Sequence, residues 1–373
     1  MGQHNEKPFE EEIALHLESQ GWLYSPTSTG YDKERALFPE DVFGWLADTQ
    51  PEALAKVVRP GDAASVQEKS RNAILDRLAK SLDASFDSVA GVQGGTLSVL
   101  RRGFKYTPAS FRMAQFRPAD GLNPTTTADY GKMRLRVIRQ VFYSTSNKKS
   151  IDLVLFVNGL PVATLELKTD FTQSVQDAIV QYRTDRNPKG EPLLSFGHRA
   201  LVHFAVSNSE VFMTTHLQGP STFFLPFNKG NDGRAGNPVN PDGSETAYLW
   251  DRVLQKDAWL GILGQFMHLQ VEKSIDPVTG AVQKKETLLF PRFQQWESVT
   301  QLIDTAREEG PGHRYLVQHS AGSGKTNSIA WTAHQLSTLH RADGSKVFNS
   351  VIVVTDRTVL DTQLQDAIKQ IDS

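Results

Sequence analysis

S-I-D-L-V-L-F-V-N-G-L-P-V-A-T-L-E-L-K-T-D, residues 150–170, is the stretch on which the reading of this chain turns. Residues 151–157 are a run of β-branched and other apolar side chains, and residues 162–168 are a second strand-like run. Asn158-Gly159 stands between them, with Pro161 close behind. Asn-Gly between two such runs predicts a tight hairpin, because both residues tolerate φ > 0. Three charges interrupt the apolar pattern: Asp152 in the first run, Glu166 and Lys168 in the second. Ionised groups in otherwise apolar strands are costly unless something pairs with them. Glu166 and Lys168 are two residues apart and therefore share one strand face. Folding back at Asn158-Gly159 brings Asp152 roughly opposite Glu166.

Two carboxylates and an ammonium gathered at one spot have a chemical use. Paired carboxylates hold Mg²⁺ through hard oxygen ligands. The metal lowers the pKa of a bound water and neutralises charge building on a phosphate. The lysine can orient that water or hold the leaving phosphate. The spacing is the D-(x)n-E-x-K pattern of metal-dependent nucleases. E-x-K alone is common, and it gains weight from the hairpin and the upstream aspartate. The competing reading is a strand pair carrying a structural salt bridge.

Length and composition set the bounds. A chain of 373 residues has room for two or three domains. Hydrophobic residues make up 39% and charged residues 22%, ordinary for a globular protein. A net charge of −2 advertises no global affinity for nucleic acid, so any DNA contact must come from local patches. The absence of cysteine excludes disulfides and Cys-ligated zinc or iron–sulfur sites, and it suits a cytoplasmic protein. The first residues carry no apolar core for a signal peptide. No apolar run approaches the ~18–20 residues that a membrane span requires.

Outward from the hairpin, periodicity predicts helices over residues 8–20, 39–57 and 66–83, the last with Ile74, Leu78 and Leu82 on its buried face. Glu10, Glu11 and Glu12 occupy the start of the first helix. An acidic first turn is ordinarily a solvated complement to the helix dipole, but Glu10 is the candidate to face the metal. Residues 96–104 read as a strand and residues 107–131 as a surface loop. Residues 133–143 alternate as a strand, with Arg134 and Arg136 on one face and Arg139 on the other. Asn147, Lys148 and Lys149 form a basic turn beside Asp152, suited to DNA phosphates or simply to solvent. Residues 172–184 read as a helix carrying Gln181 and Tyr182, where an amide can serve the site or present a polar face. Residues 199–206 and 210–215 read as a second strand pair. Together these pieces predict a mixed sheet with flanking helices. A loop at 228–243 and a turn-rich connection at 272–285 bracket an apolar helical stretch, 247–270.

A second motif lies near the C-terminal end. After the apolar approach R-Y-L-V-Q-H, residues 314–319, comes S-A-G-S-G-K-T: Ser320, Ala321, Gly322, Ser323, Gly324, Lys325 and Thr326. A helix-like segment follows. This is a P-loop, in which backbone N–H groups wrap the β-phosphate, the lysine reaches the β- and γ-phosphates and the threonine hydroxyl ligates Mg²⁺. His319 stands where the pattern usually begins with glycine. Upstream, F-P-R-F-Q-Q-W at 290–296 offers Gln295, with Arg292 as helper, to read an adenine edge; a helix start with core aromatics is the alternative. Downstream, residues 350–356 read as a buried parallel strand, followed by Arg357, Thr358 and Gln363 as candidates to touch a tracked DNA strand.

The hairpin, F-P-R-F-Q-Q-W and Q-H-S-A-G-S-G-K-T, in this order, resemble the motor (R) subunit of type I restriction enzymes, the HsdR family. The resemblance covers nearly the whole chain and is densest at 133–190 and 288–365. It implies an α/β architecture: a PD-(D/E)xK nuclease domain over 1–228, a linker and connecting helix over 229–286, and a RecA-like domain of superfamily 2 helicase type over 287–373. By that resemblance Asp152 and Glu166 ligate Mg²⁺ and Lys168 is the catalytic lysine, while Lys325 and Thr326 serve ATP–Mg²⁺. Double-stranded DNA and the modification and specificity subunits are the implied partners. The family's Gln followed four residues later by Tyr is not matched, because Asp185 stands four after Gln181 and Tyr182 is adjacent. The remaining motor motifs would lie beyond Ser373, so an incomplete ATPase is the expectation.

Overall fold

The computed structural model describes residues 3–86, 94–170, 173–275, 280, 282–355, 364–365 and 367–368. Arg357, Thr358 and Gln363 lie outside the described residues. The chain divides into two compact units, Met1–Gln115 with Ala128–Trp259, and Phe116–Thr127 with Leu260–Ser373. The stretch 229–286, expected as a linker and connecting helix, is thus shared out between the units. Trp250, Val253 and Trp259 are buried side chains of the first.

The first unit is built on a seven-stranded mixed sheet. In chain order its strands are β1 (Leu23–Ser25), β4 (Leu135–Phe142), β5 (Ser150–Val157), β6 (Leu160–Leu167), β7 (Val202–Val206), β8 (Val211–Thr214) and β9 (Leu225–Pro226), and they lie side by side in that order. A separate small hairpin pairs β2 (Phe104–Tyr106) with β3 (Ala109–Phe111). β1 runs parallel to β4 and β6 parallel to β7, while the other neighbours are antiparallel. Every residue of β6 and all of β5 after Ser150 is buried. Such strands require nearly continuous apolar sequence, as these have. The helices are α1 (Gln3–Ser19), α2 (Pro39–Thr49), α3 (Pro51–Ala55), α4 (Ala64–Leu82), α5 (Thr96–Arg102) and α7 (Val175–Asp185), the last linking β6 to β7. Helices α6 (Pro124–Gly131) and α8 (Lys256–Gly261) contain two of the three points where the chain changes unit.

The turn between β5 and β6 has φ of 48° at Asn158 and 83° at Gly159, the two positive values that a type I′ turn requires. It is locked from outside. Asn158 Oδ1 accepts from the Arg134 N–H at 2.7 Å, and its Nδ2 donates to the Met113 carbonyl at 2.9 Å. The Gly159 carbonyl accepts from the Phe38 N–H at 2.8 Å, just before α2. Helix α2 is then clamped to β4: Arg136 donates to both oxygens of Asp41, at 2.6 and 2.9 Å, with its guanidinium over the Phe38 ring. Such forked, buried pairing is the strong form of the interaction.

Register decides what the hairpin carries. Val157 pairs with Leu160 and Phe156 with Pro161, but Leu155 pairs with Ala163, a shift of one residue. Without the shift Asp152 would face Leu165. With it, the ladder runs to Leu153↔Leu165, and the same register carried one step further sets Asp152 opposite Glu166, beside the Leu167 N–H that Asp152 accepts from. A one-residue bulge has this effect because side chains alternate faces with period two.

The second unit holds the hairpin β10 (His268–Ile275) and β11 (Val282–Leu289), and the packed helices α9 (Phe293–Glu309) and α10 (Lys325–Ser337). Trp331 is buried and donates from its indole to the Phe266 carbonyl at 2.8 Å.

Several expected elements differ. Residues 39–57 form two helices rather than one, because Gln50 precedes Pro51 and takes φ −142°. Residues 96–102 are a helix, and only Phe104 of the expected strand 96–104 enters one: Thr96, Val99 and Leu100 bury a helical i, i+3, i+4 face in α5. The expected loop 107–131 contains β3 and α6, and the expected turn-rich connection 272–285 lies mostly in the β10–β11 hairpin. Residues 314–319 and 350–355 form no strand. Leu316, Ile352 and Val354 are 89%, 85% and 87% exposed, since among the described residues no neighbouring strand pairs with them.

Gly159→Ala tests the locked turn. A Cβ there would stand 2.5 Å from the Phe38 carbonyl oxygen at a φ that L residues avoid. We expect a loss of roughly 1–3 kcal/mol in urea unfolding followed by circular dichroism. An unchanged midpoint would contradict the packing described.

Candidate active site

Asp152, Glu166, Lys168 and Glu10 are all buried polar groups of the first unit. Asp152 Oδ2 accepts from the Leu167 N–H at 2.8 Å, which fixes it beside Glu166 across the β5–β6 pair. Glu166 is fully buried, and its Oε1 accepts from Arg186 Nε at 2.5 Å. Among the described residues its Oε2 has no hydrogen-bond partner. The Lys168 N–H donates to the Val206 carbonyl at 2.9 Å, tying the end of β6 to β7, and its ammonium is close enough to lower the Glu166 pKa. Glu10 enters from α1. Its Oε1 accepts from Gln140 Nε2 at 2.9 Å, and the same nitrogen donates to Asp152 Oδ1 at 3.1 Å. Arg139 donates to Glu10 Oε2 at 3.4 Å.

Electrostatics reflect this crowding. Burial, and then the Asp152 charge, push Glu166 up to about 8, against the pull of Arg186 and Lys168. Burial and Asp152 likewise push Glu10 up to about 7. Both acids sit in a low-dielectric site beside a third. Among the described residues no group of three or more His, Asp and Glu side chains is already closed around a metal position. The donor set nonetheless fits a hard divalent cation: acid oxygens crowd one another, and one of them is buried without a partner. Asp152 and Glu166 are the residues that would hold it, with Glu10 beside Asp152.

Gln181 is half-buried on α7, and among the described residues no hydrogen bond joins it to the carboxylates. Its neighbour Tyr182 faces the sheet instead, its hydroxyl 2.7 Å from Thr164 Oγ1, which also lies 2.7 Å from His203 Nδ1. Burial pushes His203 down to about 3, so this trio is a neutral buried network. Lys149 of the basic turn pairs with Asp185 at 2.8 Å on the surface. Sequence reasoning missed Arg186 and Gln140. Arg186 follows α7, and only the helix's length and packing bring it to Glu166 and to the Ser150 carbonyl at 2.7 Å. Gln140 carries one weak signal, two consecutive polar residues, Arg139 and Gln140, in an otherwise alternating strand.

In the second unit Gly322 and Gly324 have φ of 73° and 79°, and Gly324 caps α10, so the 320–326 loop leads into a helix N-terminus. Ser320 and Ala321 are exposed, Thr326 is half-buried, and Ser323 is buried, its hydroxyl without a partner among the described residues. Lys325 folds back on the loop and donates to the Ser320 carbonyl at 2.8 Å. Gln295 is buried rather than open: its Nε2 donates to the Gly324 carbonyl at 2.9 Å, and its Oε1 accepts from the Arg292 N–H at 2.9 Å. It braces the loop against the start of α9. The Arg292 side chain is half-buried at that same start.

A family model of the type I restriction enzyme R protein N terminus matches residues 3–222, more than half of the chain. The chain belongs to that family. The type I restriction R-protein region so defined contains all four buried charges of the hairpin site. Residues 294–373 match a SWI2/SNF2 ATPase model, which takes in the 320–326 loop. Among curated proteins, the chain is 26% identical over 232 residues to the type I restriction enzyme HindI endonuclease subunit of Haemophilus influenzae, covering 60% of this chain and 21% of that protein. It is 24% identical over 226 residues to a provisionally named type I restriction enzyme MjaVIIIP endonuclease subunit of Methanocaldococcus jannaschii, covering 58% and 19%. The match thus spans about a fifth of the length of these relatives.

The raised carboxyl pKa values predict a pH dependence. Unfolded, both glutamates lose their protons near 4.5; folded, they keep them to about 7 and about 8. The folded state binds more protons in that window, so stability is full below about 4.5 and falls as pH rises toward 8. Urea midpoints in chelator should therefore fall from acid to mildly basic pH, and Glu166→Gln should flatten the slope. A slope of opposite sign would contradict the burial of these acids.

Proposed function

We propose that the first unit is a PD-(D/E)xK-type endonuclease domain that cleaves double-stranded DNA with Mg²⁺, and that the second begins a superfamily 2, RecA-like ATP-driven translocase. The protein would be the restriction (R) subunit of a type I enzyme, acting with modification and specificity subunits. The observation that carries the reading is Asp152 set against Glu166 by the shifted hairpin register, with Lys168 two residues on. Asp152 and Glu166 would hold the cation, which when bound supplies an activated water and charge neutralisation at the phosphate. Lys168 would orient the attacking water or steady the leaving oxygen, and Arg186 keeps Glu166 aligned. Gly322, Gly324 and Lys325 would cradle the ATP phosphates, and Thr326 would meet their Mg²⁺. Gln295 would report nucleotide binding through its bond to Gly324.

The Glu166–Arg186 pair favours one second reading, an ATPase whose N-terminal unit only binds DNA or partner subunits through a domain held together by these charges. Lys168→Ala in the full R subunit, assembled with its partners, separates the two. The nuclease reading expects cleavage of supercoiled DNA to drop by at least about a hundredfold with ATP hydrolysis retained. Undiminished cleavage refutes it. Lys325→Ala is expected to do the reverse first, removing ATP hydrolysis and with it all cleavage that depends on translocation, read by phosphate release.

A further inference from the structure

Within β4 only Gln140 has a positive φ, 47°. This is uncommon for any residue but glycine and costly in a strand. A regular strand sends consecutive side chains to opposite faces. Here Arg139 and Gln140, neighbours in sequence, both reach Glu10: the guanidinium donates to Oε2 at 3.4 Å and the amide to Oε1 at 2.9 Å. The backbone turn at Gln140 is what allows two consecutive residues to share one target. The amide is used completely. Its nitrogen also donates to Asp152 Oδ1 at 3.1 Å, and its oxygen accepts from Ser150 Oγ at 2.8 Å. The Ser150 hydroxyl thereby fixes the amide with its two hydrogens toward the two acids. Those acids come from different elements, Glu10 from α1 and Asp152 from β5, and repel each other across a buried space.

We propose that Gln140 is a positioning residue of the cation site, which holds Glu10 beside Asp152 so that a third carboxylate is brought to the divalent ion. It touches neither the ion nor DNA. The strained backbone is kept because an unstrained strand would turn the amide away from one of the two acids. This rests on the reading of the first unit as a metal-dependent nuclease and gives Glu10 a role and a means of reaching it.

The test is Mn²⁺ titration of the full R subunit by calorimetry and electron paramagnetic resonance, alongside the Mg²⁺ dependence of cleavage. Gln140→Gly deletes the amide while tolerating the backbone. It is expected to weaken Mn²⁺ binding about tenfold to a hundredfold and to raise the Mg²⁺ needed for half-maximal cleavage by the same factor. The double variant E10Q/Q140G should bind no more weakly than E10Q, since the two act as one unit. Wild-type Mn²⁺ affinity in Q140G, with D152N unable to bind, overturns the role of Gln140 alone. Wild-type affinity in D152N overturns the nuclease reading with it. Should Q140G not fold, Ser150→Ala, which frees the amide to flip, is expected to weaken Mn²⁺ several-fold; unchanged affinity there also overturns the proposal.

Discussion

One residue of register shift in the β5–β6 hairpin governs which side chains meet in the first unit. The type I′ turn at Asn158-Gly159 starts the ladder in the register that would seat Asp152 against Leu165. The shift between Leu155 and Phe156 moves the whole of the hairpin's open end by one, and a one-residue move exchanges faces. Two acids that would have been dispersed are thereby brought side by side in a buried place. Everything else around the hairpin resists a return to the regular register. The turn is anchored to Met113, Arg134 and Phe38, and α2 is clamped to β4 through Arg136 and Asp41.

The gathered acids carry a cost that the fold distributes. Arg186 offsets Glu166, the Leu167 N–H and Gln140 serve Asp152, and Arg139 and Gln140 serve Glu10. What remains is a Glu166 oxygen without a partner among the described residues. A buried acid oxygen left unsatisfied is destabilising unless it has another use, and a hard cation is the use that fits its neighbours. If the site holds a metal as proposed, the stability of the unit and that capacity would be opposed in the absence of the ion, the usual relation between a functional site and its scaffold.

Much of the central hairpin was legible in the sequence. Asn-Gly flanked by apolar runs gave the turn, and the odd charges within those runs marked the side chains that the hairpin buries together. The opposition of Asp152 and Glu166 was legible only approximately, because a bulge is not written in residue spacing. Glu10 was one candidate among three consecutive acids at the start of α1, and burial distinguishes it from the exposed Glu11 and Glu12. Gln140 and Arg186 could not be named, since their contacts depend on a backbone dihedral and on where α7 ends. Around the hairpin the sequence misled where period and partner compete. Thr96, Val99 and Leu100 suit a helix or a strand, and burial settled them as α5. The apolar residues 350–355 read as a strand on composition, yet a strand exists only through its neighbours.

The most direct measurement is anomalous diffraction from crystals of the protein soaked in Mn²⁺. The account predicts an anomalous peak among the carboxylates of Asp152, Glu166 and Glu10. Carboxylates left without such a peak at saturating Mn²⁺, with the hairpin register intact, would contradict it.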